Sequence, residues 1–386
     1  MAARTQIYEF HKESAHIVEF AGFKMPLRYK GIVQESLAVR NSVGVFDVSH
    51  MGRVLLTGGN GTEFLDYITP NRVSALQVGQ GHYTVMCNEN GGVKDDLVIV
   101  RLEDDTYLMV FNAANRSKNL SWISENSRGF RVSIDDVSDR VSMFAVQGPK
   151  AQETLQGIAS EDLSQIPRFG GRYLKLDGLT GLVTRTGYTG EDGFEVFTWD
   201  TTVSDPSKAT RVWKALLQHG RRFNIQPCGL GARDVLRLEA GMCLYGNELT
   251  ESITPFQARI GWVVKLDKER FIGKETLAKE KAEGTKTVRV GLKPKEQGIP
   301  REGCRILKNH AVVGRVTSGT YSPILKQGIA MGYVSREHSK TGEVLEIEVR
   351  QKHLESVVTG FPFYDPSTYG WQRAASPHSA TAAEKN

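Results

Sequence analysis

The sequence predicts an α+β fold that ends in a small antiparallel β-barrel. Three observations carry this expectation. Strand-like and helical runs alternate between residues 16 and 240; a Lys/Glu-rich helical segment intervenes from 271 to 284; six short strand-like runs broken by Gly, Pro and Asn then follow between 288 and 359, the spacing of a small barrel. At 386 residues the chain is long enough for two or three domains. Its 39 glycines are a tenth of the chain, above the ~7% of average usage, so many tight turns between short elements are expected.

Residues 16–57 read as strand, helix, strand: His16–Phe20, an amphipathic run around Ile32–Arg40, then Gly44–Leu56, long enough to pass through two pairing partners. A helix over Gly61–Ile68 stops at Thr69-Pro70, because proline disfavours helix in the residue before it. Tyr83–Cys87 and Lys94–Val100 flank Asn88-Glu89-Asn90-Gly91-Gly92, a hairpin signal in which Asn and Gly tolerate positive φ. On the second strand Asp96, Val98 and Val100 share one face, and Asp95, Leu97 and Ile99 the other. Both acids then stand at the mouth of an apolar surface, as solvated turn-closers or as groups that meet a ligand. Tyr107–Asn112 is the next strand, and Asn112 or Asn115 is expected to cap a helix over Ser117–Glu125.

Val141–Gln147, Arg172–Leu176 and Leu182–Thr184 are strands, with a helix at Gln152–Ile158. Three glycines between Gly187 and Gly193 demand an unusual backbone, and Glu195 follows inside an apolar strand, where an acid needs a partner. After a helix around Arg211–Gln218, the run Gly229–Gly241 puts Arg233 and Arg237 one helical turn apart. An anion between them or separate salt bridges would each relieve their repulsion. Ile260, Trp262, Val264 and Leu266 alternate as on one buried strand face.

Composition excludes several classes. No apolar run reaches the ~20 residues of a membrane span, and the N-terminus lacks a signal-peptide core. Cys87, Cys228, Cys243 and Cys304 form no CxxC pair and the nine histidines no HxxxH spacing, so free thiols, a reducing compartment and no metal site are expected. The +5 formal charge and pI near 8.9 permit an acidic partner but are too dispersed for nucleic acid.

Four segments occurring in this order, Phe46–Gly52, Met86–Asp96, Arg185–Glu195 and Gly229–Asp234, resemble the glycine cleavage system T-protein family, folate-binding aminomethyltransferases. The resemblance implies a three-domain ring of two related, partly interleaved α+β domains and a C-terminal antiparallel β-barrel. The implied bounds are 1–270 for the interleaved region, 271–284 for a helical connector, 285–370 for the barrel and 371–386 for a disordered tail. Tetrahydrofolate, with no metal, would occupy the central hole. Asp96 would stand beside the folate nitrogens as the catalytic carboxylate. Met51, Leu55, Tyr83, Val98, Val110, Asn112, Tyr188 and Trp262 would line the pocket, Glu195 would accept from the pterin ring, and Arg233 and Tyr369 would reach the ligand. Met242 stands where some members carry an aromatic residue.

The implied reaction takes an aminomethyl group from the lipoyl arm of an acidic H-protein, releases ammonia and gives methylenetetrahydrofolate and the dihydrolipoyl carrier. Arg28, Lys30 and Arg53 are candidates for steering that carrier, and the implied compartment is cytoplasmic, or the mitochondrial matrix after removal of a presequence. Two other readings use the same ring: a folate-dependent demethylase of a sulfonium or methylamine, and a non-enzymatic folate-binding protein. The second is expected to carry a Lys-Gly-Cys-Tyr-x-Gly-Gln segment where this chain has Gln226-Pro227-Cys228-Gly229-Leu230-Gly231.

Overall fold

The computed structural model describes residues 2–350 and 352–373. Two mixed bodies and a barrel make up the fold. One body is an antiparallel five-stranded sheet in the spatial order Gly81–Cys87, Val93–Glu103, Thr106–Phe111, Gly52–Thr57, Ser133–Asp136. The second is a six-stranded sheet ordered Gly171–Leu176, Leu179–Thr184, Gly193–Trp199, Val141–Gln147, Gly44–Asp47, Gln226–Pro227. The third is a closed antiparallel barrel whose first strand, Thr287–Pro294, pairs with its last, Lys352–Thr359.

The expected single strand Gly44–Leu56 is two strands, and the break between them interleaves the bodies. Gly44–Asp47 joins the six-stranded sheet, whereas Gly52–Thr57 joins the five-stranded one. Asp47 turns the chain by accepting the Ser49 backbone N–H through Oδ1 at 2.9 Å, while its Oδ2 meets His11 Nε2 at 2.8 Å. The inner faces of both sheets then meet in one apolar layer that includes Phe46, Val100, Leu108, Val110, Met143, Phe197 and Leu236.

Contacts run around all three bodies. Gly171 N–H donates to Gly79 O at 2.8 Å between the two sheets. The helix Leu230–Glu239 meets the barrel through Arg237, whose Nη2 donates to Ser318 Oγ at 2.9 Å. From the barrel, Arg289 N–H donates to Gln257 O, and that linking segment returns to the first sheet where Val93 N–H donates to Ile253 O, both at 2.9 Å. The helix Lys274–Glu283 fills the expected connector and buries Leu277 under the hairpin turn.

Two glycines in that turn act differently. Gly91 has φ +78°, the left-handed conformation Asn-Gly-Gly was expected to supply, but Gly92 is required for space: a Cβ there would lie 1.9 Å from Glu251 O. Trp371 N–H donates to Gly190 O at 2.9 Å and Arg373 pairs with Glu191, so polar contacts fasten the first residues of the segment that the resemblance gave as tail; residues 374–386 lie outside the described residues.

Candidate functional site

Asp95 and Asp96 leave the same strand in opposite directions, as period-two alternation dictates. Asp95 is fully buried on the helix side of the sheet, while Asp96 is half-buried on the side facing the other sheet. Tyr83, on the neighbouring strand, donates its hydroxyl to Asp96 Oδ2 at 3.1 Å, and Asn112 Nδ2 donates to Asp96 Oδ1 at 2.7 Å. Burial and the adjacent Asp95 charge raise the Asp96 carboxyl to about 7, against the Asn112, Tyr83 and own-backbone hydrogen bonds that lower it. A carboxyl so placed can hold or release a proton near neutral pH.

Neither Asn112 nor Asn115 caps a helix through its side chain. The expected capping role is replaced by a stronger demand: both amides donate to Asp95 Oδ1 at 2.8 Å, because a buried carboxylate needs donors more than a helix end open to water does. Asn119 Nδ2 adds a third amide, to Oδ2 at 2.5 Å. Reading the sequence missed Asn115 and Asn119 as a set, although their spacing of four residues, from the position flanking the helix Arg116–Asn126 to its second turn, was a usable signal.

Around this pair the implied pocket residues fall into three groups. Met51, Leu55 and Val98 are partly buried at the edge of the layer between the sheets, which contains Val110. Tyr188 sits in the Gly-rich loop, its hydroxyl donating to Cys243 O and its ring lying 4.7 Å from Arg233 Cζ. In that loop only Gly190, at φ +80°, needs glycine for conformation, whereas Gly187 needs it for space, a Cβ there falling 1.9 Å from Gln147 Oε1. Glu195 is 8% exposed within the six-stranded sheet, accepts from Thr186 Oγ1 and has its carboxyl raised by burial despite the nearby Arg233 charge.

The two arginines of one helix divide the alternatives between them. Arg237 is fixed by Asp234 and by Glu248 at 2.8 Å, and is structural. The Arg233 guanidinium makes no hydrogen bond or ion pair with any described residue, so its donors remain available to a ligand. Trp262 departs from its expected core position. The segment is a single tight helical turn, Gly261–Val263, rather than a strand, and it leaves the indole 59% exposed, 5.8 Å from the Tyr83 ring and tilted by 34°. Tyr369 packs against Tyr364 and Arg373 near Gly190, with no contact to the Asp96 group. Two surface clefts of about 510 and 760 Å³ are lined by none of these residues. No three His, Cys, Asp or Glu among the described residues are grouped to hold a metal, and no described helix is long and apolar enough to cross a membrane.

Comparison with known proteins finds relatives over nearly the whole chain. Residues 7–268 match the family model described as the GCVT N-terminal domain, and 288–365 the glycine cleavage T-protein C-terminal barrel domain. The chain is 43% identical over 363 residues to an aminomethyltransferase of Caldanaerobacter subterraneus subsp. tengcongensis, covering 94% of this chain and 96% of the other. It is 44% identical over 365 residues to one of Thermosipho melanesiensis, covering 93% and 96%. The crystal structure of glycine cleavage system aminomethyltransferase T from Bartonella henselae superposes with a TM-score of 0.88 at 32% identity, covering 96% of this chain and all of that one.

Proposed function

The chain belongs to the glycine cleavage T-protein family of aminomethyltransferases, and from that premise we propose that it moves a one-carbon unit from an aminomethyl-lipoyl carrier protein to tetrahydrofolate, releasing ammonia. The observation that carries this reading is Asp96: a half-buried carboxyl oriented by Tyr83 and Asn112 and raised to about 7, at the apolar layer between two sheets.

The surrounding residues fit a reduced pterin and its tail. Glu195 offers a buried acceptor to pterin N–H donors. Met51, Leu55, Val98 and Val110 supply an apolar wall for a flat ring, and the Tyr188 and Trp262 rings supply aromatic surface. Arg233 retains free donors for a carboxylate. When bound, the folate supplies the nucleophilic nitrogen. Asp96 holds or accepts a proton beside it and favours positive charge developing at the transferred carbon.

The test is single-turnover release of ammonia from aminomethylated H-protein, with and without tetrahydrofolate. Release must depend on folate and yield methylenetetrahydrofolate; turnover only with a methyl-sulfonium or methylamine donor would move the assignment to a demethylase. Glu195→Gln presents an amide donor toward the pterin and loses the charged acceptor, which is expected to weaken folate binding by ~1.5–3 kcal/mol. Calorimetry showing unchanged affinity would remove Glu195 from the pocket.

The net charge of +5 should also assist capture of an acidic carrier by long-range attraction. Arg28 and Lys30 are exposed and suited to this, but Arg53 is fully buried and cannot steer a partner. Association should slow as salt rises and the Debye length contracts to ~10 Å at 0.1 M. Stopped-flow rates that stay flat across that range would show the excess charge to be irrelevant to docking.

A further inference from the structure

Asp95 is as unusual as its neighbour, and the proposed chemistry does not use it. Its carboxylate is fully buried, yet no cation forms a salt bridge with it among the described residues. Four N–H donors converge on it instead: Asn112 and Asn115 amides at 2.8 Å on Oδ1, and the Asn119 amide at 2.5 Å and the Asn112 backbone at 3.3 Å on Oδ2. Asn119 turns its amide nitrogen to Asp95 although its own carbonyl oxygen then stays buried without a partner. Leaving an acceptor unsatisfied is unfavourable, so the donor requirement of Asp95 dominates the local arrangement. A group surrounded only by donors is an anion, because a protonated carboxyl would need an acceptor.

We propose that Asp95 is a positioning residue for Asp96: an anion fixed by three asparagine amides, it clamps Asn112 against Asp96 and keeps a negative charge beside it. The clamp is direct, since the same Asn112 Nδ2 reaches Asp95 Oδ1 at 2.8 Å and Asp96 Oδ1 at 2.7 Å. The two carboxylates therefore share a donor while pointing to opposite faces of one strand. Like charges so close favour a proton on one of the two. The proton belongs on Asp96, whose side-chain donors are one hydroxyl and the shared amide against the three amides on Asp95.

Other titratable groups nearby do not compete for that proton. Burial pushes the Tyr83 and Tyr188 hydroxyls up, and Cys243 up to about 12. Burial also raises Tyr245, with the Glu251, Asp95 and Asp96 charges adding to it. Arg233 and Arg237 influence Tyr188 rather than Asp96 directly. Lys118, on the helix behind Asp95, directs its ammonium to Lys94 O at 2.6 Å and Tyr245 OH at 2.8 Å, with Glu251 3.4 Å away. Burial raises the Asp95 carboxyl, and the three amides and Lys118 oppose it. Burial and the Asp95 charge together carry Asp96 to about 7. Removing the Asp95 charge must therefore make Asp96 more acidic.

This inference rests on the reading of Asp96 as the carboxylate at the chemistry, and its test separates the two. Carbon-13 carboxyl NMR of the unliganded full chain follows protonation without requiring turnover. The resonance lost in Asp96→Asn should titrate near 7 in the unsubstituted protein and at least one pH unit lower in Asp95→Asn. Its titration near 4 in the unsubstituted protein, or unmoved in a folded Asp95→Asn, would overturn the proposal. In single turnover, the inflection in the pH profile should move with it, whereas a purely structural role would lower the rate at every pH alike. Asp95→Glu, which restores the charge, should return the inflection to within about half a unit of the original while leaving a lower kcat from the displaced Asn112. If Asp95→Asn does not fold, Asp95→Glu and the unsubstituted titration still decide: an Asp96 carboxyl near 4 in either refutes the coupling.

Discussion

Asp96→Ala is expected to reduce single-turnover transfer by roughly 10²–10⁴-fold, the range for loss of a general acid or base, while the fold survives. Two features set this combination apart from ordinary core damage. Asp96 is half-buried and its hydrogen bonds come from Tyr83 and Asn112, each of which retains another contact: Tyr83 against Trp262, and Asn112 on Asp95. Its carboxyl is also raised to about 7, so folding disfavours its ionised form. The sign follows from linkage: the unfolded chain ionises this group near its ordinary value of ~3.9, and the stability of the folded state falls as pH rises from there through about 7. Asp96→Asn removes that burden, so an inactive variant should match the unsubstituted protein in stability at pH 4 and exceed it at pH 8. Transfer at unsubstituted rates with saturating folate and carrier would remove Asp96 from the chemistry. Inactivity accompanied by lower stability at pH 8 would show that its environment favours the anion.

Local signals made the centre of the site legible. Asn88–Gly92 between two apolar runs specified the hairpin, and the period of two assigned Asp95 and Asp96 to opposite faces, as found. What the pattern could not show is which face would be sealed. That depended on the helix Arg116–Asn126, whose Asn119 lies 24 residues from Asp95 in the chain. Trp262 shows the opposite failure: alternation around it looked like a strand, but a short turn satisfied the same pattern and left the indole exposed. The closed barrel was readable because regular short strands broken by Gly, Pro and Asn have few other uses. The ring was not, since it depends on a chain break at residues 48–51 that moves one segment between sheets; only family resemblance supplied it. The same resemblance named Arg233, whereas contacts separated it from Arg237.

The largest loss of stability is expected from Arg40→Ala, a position no local pattern marks. Arg40 is fully buried and every arm of its guanidinium is engaged: Nε donates to Glu239 at 2.9 Å, Nη1 to Glu191 at 2.9 Å and to Thr189 O at 2.8 Å, Nη2 to Leu236 O at 3.1 Å. These partners lie 149–199 residues away in sequence, so the one side chain ties the helix Ile32–Asn41 to the Gly-rich loop and to Leu230–Glu239. Glu191 also accepts Gly370 N–H at 3.1 Å and pairs with Arg373, joining the C-terminal segment to the same centre. A buried network of this kind adds little net stability, because desolvation offsets the attraction; burial indeed pushes the Glu239 carboxyl up in spite of Arg40. Removing the cation alone is different, since it leaves two buried carboxylates without their shared partner, a loss of ~3–5 kcal/mol. Arg305→Ala, which breaks an exposed pair with Glu348, should change stability by at most ~1 kcal/mol. The damage should also reach the pocket, because Thr189 and Glu191 fix the loop that carries Tyr188. At temperatures where the Arg40 variant stays folded, its folate KM should therefore rise more than its kcat falls. Equal denaturation midpoints for the Arg40 and Arg305 variants would refute the clamp, and an unchanged KM in a destabilised Arg40 variant would separate it from the pocket.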